Sequence, residues 1–262
     1  SRPVGTTVSD DVLHLLLRRP DALNALDDEL GAALHHALTH EVESSGARAV
    51  TIRGEGGHLM AGADLGRLTG WMARPGPEIE SVVRTGFQPS LLGEVPVPVV
   101  VVVDGAAMGV GMDLALAADL LVVTERAVFA MPESDIGLTP LCGSTELLAR
   151  RIGPARARQV LMLGRKVSAQ DAVDWGLSDR VVASADLEQH LAGVLGRLTR
   201  RSRSAMAATK RLLVAAEAAS EHTLAAEAAA FAAACAEPDA AEGVASLRER
   251  RRPDFGSAGA DA

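Results

Sequence analysis

The chain has 262 residues and a formal net charge of −8, with 48% hydrophobic and 23% charged residues. This balance excludes an intrinsically disordered chain and a membrane protein, and the length is sufficient for a large hydrophobic core. Aromatic residues make up only 2%, which argues against a module that stacks nucleic-acid bases. The most apolar segment, 95–103, is about half as long as a membrane-spanning helix. We therefore expect a cytoplasmic protein without a nucleic-acid or membrane partner.

The first half of the chain alternates between predicted strands and predicted helices. Short apolar runs bounded by Gly, Pro or charged residues indicate the strands, and five consecutive valines at Val99–Val103 predict a strand buried on both faces. Strands are predicted at Val12–Leu17, 47–53, Val99–Val103, 120–123 and 127–130, and helices at 27–43, 78–92 and 113–118. A succession of strand, glycine turn and helix is typical of an α/β fold.

The second half of the chain is predicted to be mostly helical. Ser168 with Asp171 indicates a capping box, and Pro154 and Pro238 suit the first turn of a helix. Alanine, the best helix former, dominates 205–236. We therefore expect an α/β core at 1–200, a helical region at 201–256 and a disordered tail at 257–262.

Two glycine-rich turns each follow a predicted strand. The first is Met-Ala-Gly-Ala-Asp-Leu at 60–65, and the second occupies 104–113. Backbone N–H groups at the start of a helix lack intrahelical acceptors and can bind an anion or a developing oxyanion. Two such turns facing one ligand oxygen would form an oxyanion hole, although a single glycine turn is more often only a tight connection.

Two carboxylates accompany these turns. Asp113 ends the second turn, and Glu133 follows the strand predicted at 127–130. Both stand in apolar surroundings at the ends of elements, where desolvation tends to raise the pKa of a carboxyl group. One carboxyl group can then donate a proton while the other accepts one. Both are therefore candidates for acid–base chemistry, with a helix cap or a surface position as the alternative for each.

The order of these features resembles the crotonase superfamily, also called the enoyl-CoA hydratase/isomerase superfamily, along nearly the whole chain. Six blocks carry the resemblance, and each is only suggestive by itself. They are Arg-Pro-Asp-Ala-Leu-Asn-Ala-Leu at 19–26, Ala-Gly-Ala-Asp-Leu at 61–65, the turn at 104–113 with Ala-Asp-Leu at 118–120, Pro-Glu with Gly137 and Pro140 at 132–140, Ser-Ala-Gln-Asp-Ala with Trp-Gly-Leu at 168–177, and Arg-Arg-Pro-Asp-Phe at 251–255.

The resemblance implies a spiral of ββα units followed by a helical trimerisation region, and hence a homotrimer or a hexamer. It implies that the N–H groups of Ala63 and Val110 bind the thioester oxygen of an acyl-CoA. Glu133 would move a proton, and Asp113 would position or activate water. CoA is then part of the substrate, and neither a separate cofactor nor a metal is expected. The residues that the resemblance places around CoA and the acyl group are Ala22, Leu23, Ala25, Ala61, Gly62, Asp64, Leu65, Gly109, Pro132, Leu141 and Phe255.

Three positions depart from the family's pattern. Asp113 is one methylene shorter than the glutamate of hydratases, Val110 replaces a glycine, and Leu141 stands where a glycine often occurs. An aspartate at the first position is familiar from dienoyl-CoA isomerases, but their further acidic residue would fall at Leu141. Hydration of a 2-enoyl-CoA is therefore the leading hypothesis, double-bond isomerisation the second, and a non-catalytic acyl-CoA-binding paralogue the third.

Several other side chains receive weaker interpretations. His36 and His40 have a spacing that can bind zinc, but the Glu of a His-Glu-x-x-His motif is absent, and a solvated helix face is favoured. His58 and Trp71 are candidates for ligand contact, with core packing as the alternative for Trp71. Cys142 lacks a partnered histidine and is a weak candidate for a nucleophile.

Overall fold

The computed structural model describes residues 2–217 and 220–255, so the tail expected at 257–262 lies outside the described residues. The strands are β1 (Val4–Ser9), β2 (Val12–Leu17), β3 (Ala49–Gly54), β4 (Met60–Ala61), β5 (Val99–Val103), β6 (Ala106–Met108), β7 (Leu120–Thr124), β8 (Val128–Ala130), β9 (Val167–Ser168) and β10 (Val181–Val182). The helices are α1 (Asp28–His36, continued by a π-helical turn at Ala37–Glu41), α2 (Val42–Ser44), α3 (Leu65–Met72), α4 (Gly76–Thr85), α5 (Leu91–Glu94), α6 (Val110–Leu116), α7 (Ser144–Ile152), α8 (Pro154–Leu163), α9 (Ala169–Asp174), α10 (Leu187–Thr199), α11 (Arg203–Glu217), α12 (Glu221–Cys235) and α13 (Pro238–Glu249).

The strands form two sheets. The larger has the order β1-β2-β3-β5-β7-β10, and the smaller has the order β4-β6-β8-β9. The pairs β1–β2 and β8–β9 are antiparallel, and the other neighbours are parallel. The chain repeatedly adds one strand to the larger sheet, then one to the smaller sheet, and then a helix, as in β3-β4-α3 and β5-β6-α6. The expected spiral of ββα units is therefore confirmed.

The valine strand β5 lies in the middle of the core, as predicted. All five of its valines are buried, and they alternate between two apolar layers. Val99, Val101 and Val103 pack into the main core, whereas Val100 and Val102 pack on the other face with leucines of α10. A strand covered on both faces needs apolar residues at every position, which explains the uninterrupted run.

The C-terminal helices pack back onto the core of their own chain. Helix α12 runs against α4, and α13 lies against the 3₁₀ turn Glu133–Ile136. The second contact is close, since a Cβ atom added to Gly243 of α13 would lie 2.3 Å from the carbonyl oxygen of Ile136. Helix α11 is anchored by the buried Lys210, whose Nζ lies 2.6 Å from a carboxylate oxygen of Asp119.

Some predicted elements differ from those observed. The helix predicted at 78–92 is interrupted, because α4 ends at Thr85 and α5 begins only at Leu91. The helix predicted at 113–118 begins three residues earlier, at Val110. Strands β1, β4, β6, β9 and β10 were not predicted, and the last four are only two or three residues long, too short for a visible alternation. Across the described ranges, no helix combines the length and the hydropathy that crossing a membrane requires.

Candidate active site

A single cavity of about 690 Å³ brings the predicted site residues together. It is lined by both glycine turns and by side chains from α3, α4 and α12. The predicted site residues that line it are Ala22, Leu23, Ala25, Ala61, Gly62, Ala63, Asp64, Leu65, Gly109, Val110, Asp113, Pro132, Glu133 and Leu141. Phe255 does not line it, because the segment after α13 leaves its side chain exposed.

The two glycine turns are neighbours because the strands that lead into them are paired. In the smaller sheet Met60 pairs with Ala107 and Ala61 with Met108, so both turns emerge at the same edge. Gly109 has φ 52° and ψ −122°, a conformation that is accessible to glycine at the first central position of a type II′ turn. A Cβ atom on it would lie 2.8 Å from a carboxylate oxygen of Glu133 and 3.5 Å from the Cα atom of Gly62.

In the first turn, the N–H of Ala63 points away from Leu26, the residue opposite it in the neighbouring segment. Leu26 donates from its N–H to Gly62 O at 2.8 Å and accepts from the N–H of Asp64 at 2.9 Å. Leu26 and Ala63 thus form an isolated parallel β-bridge, in which the backbone groups of Gly62 and Asp64 make the hydrogen bonds to Leu26. The N–H of Ala63 therefore points to the side away from Leu26. No described residue accepts a backbone hydrogen bond from it.

In the second turn, the Val110 N–H lies at the start of a helix. Asp113 N–H donates to Gly109 O at 3.0 Å, which closes the first turn of α6, while the N–H of Val110 has no backbone acceptor among the described residues. The positive φ angle is at Gly109, so Val110 has ordinary helical geometry and its side chain packs against the main core. Replacement of the family's glycine by Val110 therefore leaves this N–H available. We call Gly62, Ala63, Gly109 and Val110 the turn wall.

Glu133 begins the 3₁₀ turn Glu133–Ile136, directly beside the turn wall. Its Oε2 atom is buried and has no hydrogen-bond partner within the described part of the chain. Burial raises the pKa of Glu133 to about 7, and the charge of Asp135 acts in the same direction, against a hydrogen bond from its own backbone. Near neutral pH this carboxyl group can therefore both accept and donate a proton.

Asp113 lies within α6 with only 3% of its surface exposed. Burial raises its pKa well above the usual range, and the negative charges of Glu133 and Glu227 add to this, while the hydroxyl of Ser144 opposes it. The Oγ atom of Ser144 is 2.5 Å from Oδ1 of Asp113 and also contacts the carbonyl oxygen of Leu141. Asp113 is therefore held in a fixed orientation and favours its neutral form.

Ser144 is positioned by a third carboxylate, Glu227 of α12. Its two oxygens accept hydrogen bonds from the N–H groups of Gly143 (2.6 Å) and Thr145 (2.9 Å), and from the hydroxyl of Thr145 (2.5 Å). These groups are at the N-terminus of α7, where backbone donors lack intrahelical acceptors and a negative charge is stabilising. The C-terminal region thus fixes the start of α7, and with it the hydroxyl that contacts Asp113.

The segment 22–26 forms the rim of the cavity. Leu23 and Asn24 both adopt positive φ angles, of 50° and 57°. The buried Asn24 side chain holds this shape by accepting from the N–H of Arg19 and donating to the carbonyls of Glu55 and His58. Asn24 of the Asn-Ala-Leu block is therefore a structural residue, and its neighbours face the cavity.

Asp64 caps α3, since its Oδ1 atom accepts from the N–H of Gly66 at 2.8 Å. Its other carboxylate oxygen lies 3.1 Å from a guanidinium nitrogen of Arg19. Burial raises the pKa of Asp64, but the bonds from Arg19 and Gly66 outweigh it, so the net shift is downward. Asp64 lines the cavity as expected, with its carboxylate engaged in holding the rim to α3.

The far side of the cavity is built from helices. Leu68 and Trp71 of α3 meet Phe231 of α12, whose ring lies edge-on to the indole with centroids 5.6 Å apart. Arg67 lines the same surface. We call Arg67, Leu68, Trp71 and Phe231 the helix wall.

Comparison with known proteins agrees with this arrangement. The model of the family described as "Enoyl-CoA hydratase/isomerase" matches residues 7–258. The chain belongs to this family. A "Probable enoyl-CoA hydratase" from Rhodobacter capsulatus is 35% identical over 78% of each chain. The "1,2-epoxyphenylacetyl-CoA isomerase" of Escherichia coli is 36% identical over 71% of this chain and 72% of its own.

Solved structures of family members share the whole fold. The crystal structure of an enoyl-CoA hydratase from Mycobacterium avium subsp. paratuberculosis superimposes with a TM-score of 0.84 at 30% identity. The match covers 97% of this chain and 98% of that one. The expected membership of the crotonase superfamily and the expected fold are therefore both confirmed.

The sequence also singled out two cavity residues, Trp71 and Cys142, and three histidines outside the cavity. His58 accepts a hydrogen bond from the N–H of Ala106 at 3.0 Å and does not line the cavity. Trp71 and Cys142 do line it, but burial and nearby carboxylates raise the pKa of the Cys142 thiol well above normal, which disfavours the reactive thiolate. His36 and His40 stack on each other, and no metal-binding cluster is found among the described residues.

The sequence did not single out Arg67, Ser144, Glu227 or Phe231. Ser144 and Glu227 are 31 and 84 residues from the groups that they contact, so no local pattern connects them. Arg67 had a signal, since it lies in the first turn of the helix that follows the glycine-rich turn at 60–65.

Proposed function

We propose that this family member is an enoyl-CoA hydratase, which adds water across the double bond of a 2-enoyl-CoA. The observation that supports this function is the pair of buried carboxyl groups, Asp113 and Glu133, in one cavity with two N–H groups that have no backbone acceptor among the described residues. Addition of water requires one group to move a proton and another to hold the water molecule, together with donors for the charge that develops on the thioester oxygen.

The reaction begins with the thioester oxygen between the N–H groups of Ala63 and Val110. Glu133 removes a proton from water as the water oxygen bonds to Cβ of the substrate, and the electron pair of the double bond moves into an enolate. The enolate oxygen carries the negative charge and is stabilised by the two N–H groups. Protonated Glu133 then returns the proton to Cα, which regenerates its carboxylate and completes the addition of one water molecule.

Asp113 has a different part in this scheme. Its Oδ1 atom accepts a hydrogen bond from Ser144, and burial raises its pKa, which favours the neutral form. A neutral carboxyl group is a poor base but a good hydrogen-bond partner, so Asp113 orients the attacking water while Glu133 transfers the proton. Its side chain is one methylene shorter than the glutamate of hydratases. Its hydrogen bond with Ser144 fixes the orientation of the carboxyl group and therefore the position of that water.

Double-bond isomerisation is the second candidate. The hydrogen bond from Ser144 favours it, because it engages the carboxyl group of Asp113. Glu133 is then the group that can take a proton from one carbon of the substrate and return it to another. The description of the family, "Enoyl-CoA hydratase/isomerase", includes isomerases of enoyl-CoA. In this reaction Asp113 has no water to orient, so Asp113→Asn would retain most of the activity.

The test is to mix the purified protein with a series of 2-enoyl-CoA and 3-enoyl-CoA thioesters and to follow absorbance and product mass. Hydration gives a gain of one water and a loss of the conjugated-thioester absorbance, whereas isomerisation changes the absorbance without changing the mass. Glu133→Gln should abolish either reaction, and Glu188→Gln, at an exposed carboxylate of α10, is the matched control. Tight binding of all thioesters with no product would contradict both and leave a non-catalytic paralogue.

We also propose that the protein assembles into a homotrimer or a hexamer. Large apolar side chains are exposed near the end of α8 (Met162, Leu163) and along α11 (Leu212, Leu213), and such surfaces are commonly covered by a partner. Phe255 is outside the cavity of its own chain, and in an oligomer it is free to contact CoA of a neighbour. Sedimentation equilibrium of the purified protein tests the assembly, and a monomer at all concentrations would exclude it.

A further inference from the structure

Arg67 is a buried cation within an otherwise largely apolar part of the cavity. It lies in the first turn of α3, and only 9% of its side chain is exposed. Its neighbours in the helix wall are Leu68, Trp71 and Phe231, and its guanidinium carbon lies 4.6 Å from the centroid of the Trp71 ring. A glycine makes room for it, since a Cβ atom on Gly86 would lie 3.0 Å from one of its terminal nitrogens.

The charge of Arg67 is incompletely compensated by the protein. Its Nε atom lies 2.9 Å from a carboxylate oxygen of Asp28, but that side chain is 85% exposed and the pair is open to solvent on one side. No described residue accepts a hydrogen bond of good geometry from the buried Nε atom. Burial of a cation without hydrogen-bonded partners is costly, and the contact with an aromatic ring offsets only a part of the cost.

A second polar group of the cavity is also unpaired. Thr139 lies between the Glu133 turn and α7, and its Oγ1 atom is buried without a hydrogen-bond partner among the described residues. Arg67 and Thr139 both line the cavity. The guanidinium group, whose ion pair with Asp28 lies at the exposed side, and the hydroxyl group of Thr139 are therefore both available to one ligand in this cavity.

From these positions we infer that the acyl pocket selects acyl groups with a carboxylate at the end distant from the thioester. Arg67 pairs with that carboxylate, and Thr139 supplies a further hydrogen bond to it. A purely aliphatic acyl chain leaves Arg67 with only its exposed ion pair to Asp28, and leaves the hydroxyl of Thr139 without a partner among the described residues, so it binds less tightly in the same cavity. The inference rests on the proposed function only in requiring that the cavity binds acyl-CoA thioesters.

The test uses unreactive saturated thioesters, so that binding is measured independently of turnover. Calorimetry compares succinyl-, glutaryl- and adipyl-CoA with the methyl esters of their free carboxyl groups and with butyryl-, pentanoyl- and hexanoyl-CoA. Because a charged hydrogen bond that loses its partner changes affinity by about 10- to 100-fold, at least one dicarboxylic thioester should bind that much more tightly than both uncharged analogues. Arg67→Met should remove this preference, and Arg67→Lys should retain a part of it.

Arg74→Met is the matched control, because Arg74 lies exposed beyond the end of the same helix and outside the cavity. Affinity for free CoA should be the same in all variants, which shows that the fold and the CoA site are intact. Equal affinity of the wild-type protein for charged and uncharged thioesters, or a preference that persists in Arg67→Met, would overturn the inference. Failure to bind any acyl-CoA would instead contradict the proposed function.

Discussion

The turn wall and the helix wall face the same cavity but are built by different means. The turn wall consists of backbone groups, which are placed by paired strands and by two glycines with positive φ angles. The helix wall consists of side chains from α3 and α12, which are more than 150 residues apart in the sequence. A backbone N–H group is present whatever the side chain, so the donors of the turn wall can be shared by a whole family. The side chains of the helix wall can instead differ between family members that bind different ligands.

The two carboxyl groups belong to neither wall alone, and they connect the two. Glu133 lies against Gly109 of the turn wall, and α13 packs on the turn that carries it. Asp113 is held by Ser144, whose helix is fixed by Glu227 on the same helix as Phe231. The C-terminal helices therefore help to position the two carboxyl groups as well as to line the cavity, and substitutions on each side can separate these contributions.

The largest effect is expected for Glu133→Gln. The amide has nearly the same shape but cannot take a proton, so kcat/KM should fall by about 10³-fold, within the range for loss of a general base. Steady-state kinetics with a 2-enoyl-CoA measure this, with affinity for a saturated acyl-CoA as the check that the cavity is intact. A residual activity above one tenth would show that another group moves the proton.

The next largest effect is expected for Gly109→Ala in the turn wall. The new Cβ atom meets Glu133 at 2.8 Å, and alanine disfavours the φ and ψ angles of this position. Displacement of the Val110 N–H should lower kcat by about 10²- to 10³-fold, as for loss of one oxyanion donor. Gly70→Ala is the matched control, because a Cβ atom there meets no other atom within 4 Å; that variant should retain full activity. Similar activities of the two variants would argue against the turn wall as the oxyanion site.

The pH dependence should follow the ionisation of Glu133. Since its pKa is raised to about 7, kcat/KM should rise about tenfold per pH unit below 7 and become constant above it. Rates between pH 5 and 9 measure this, and a profile that is already flat at pH 5 would contradict the raised pKa.

The same ionisation should affect stability in the opposite direction. The folded protein binds this proton more tightly than the unfolded chain, whose glutamate has a pKa near 4.5. The contribution of Glu133 to the free energy of unfolding therefore falls as the pH rises from about 4.5 to about 7. Glu133→Gln removes this dependence, so its Tm should exceed that of the wild-type protein most clearly at pH 8.

Glu227→Gln tests whether the C-terminal region controls Asp113. The amide places an NH₂ group against the backbone N–H of Gly143 or Thr145, which should displace Ser144. We expect kcat to fall by about tenfold with little change in KM, in keeping with the loss of one or two charged hydrogen bonds. Glu221→Gln, on the same helix but paired with Arg84 at the surface, is the control. A lower Tm with an unchanged kcat would mean that Glu227 is only structural.

Sequence patterns predicted the turn wall better than the helix wall, for a physical reason. The turn wall depends on local features, namely a strand, a glycine and the start of a helix, and each occupies a few adjacent residues such as 61–65. Trp71 and Leu141, which the sequence singled out, line the cavity, but Phe231 was hidden in an alanine-rich helix with an apolar residue on every side. Ser144 and Glu227 act through long-range hydrogen bonds, and such contacts leave no periodic signal in one sequence.

The smallest effect is expected in the helix wall, for Phe231→Leu. Loss of the edge-on contact with Trp71 opens space at the apolar end of the cavity without touching the turn wall. The preference for longer over shorter acyl chains should increase by a few-fold, because each buried methylene group contributes about 0.8 kcal/mol at most. Phe129→Leu is the control, since Phe129 of β8 is equally buried and lies outside this cavity. Both variants should lose stability, but only Phe231→Leu should change the ratio of kcat/KM values between chain lengths, and an equal change in both would show that the helix wall does not select the acyl group.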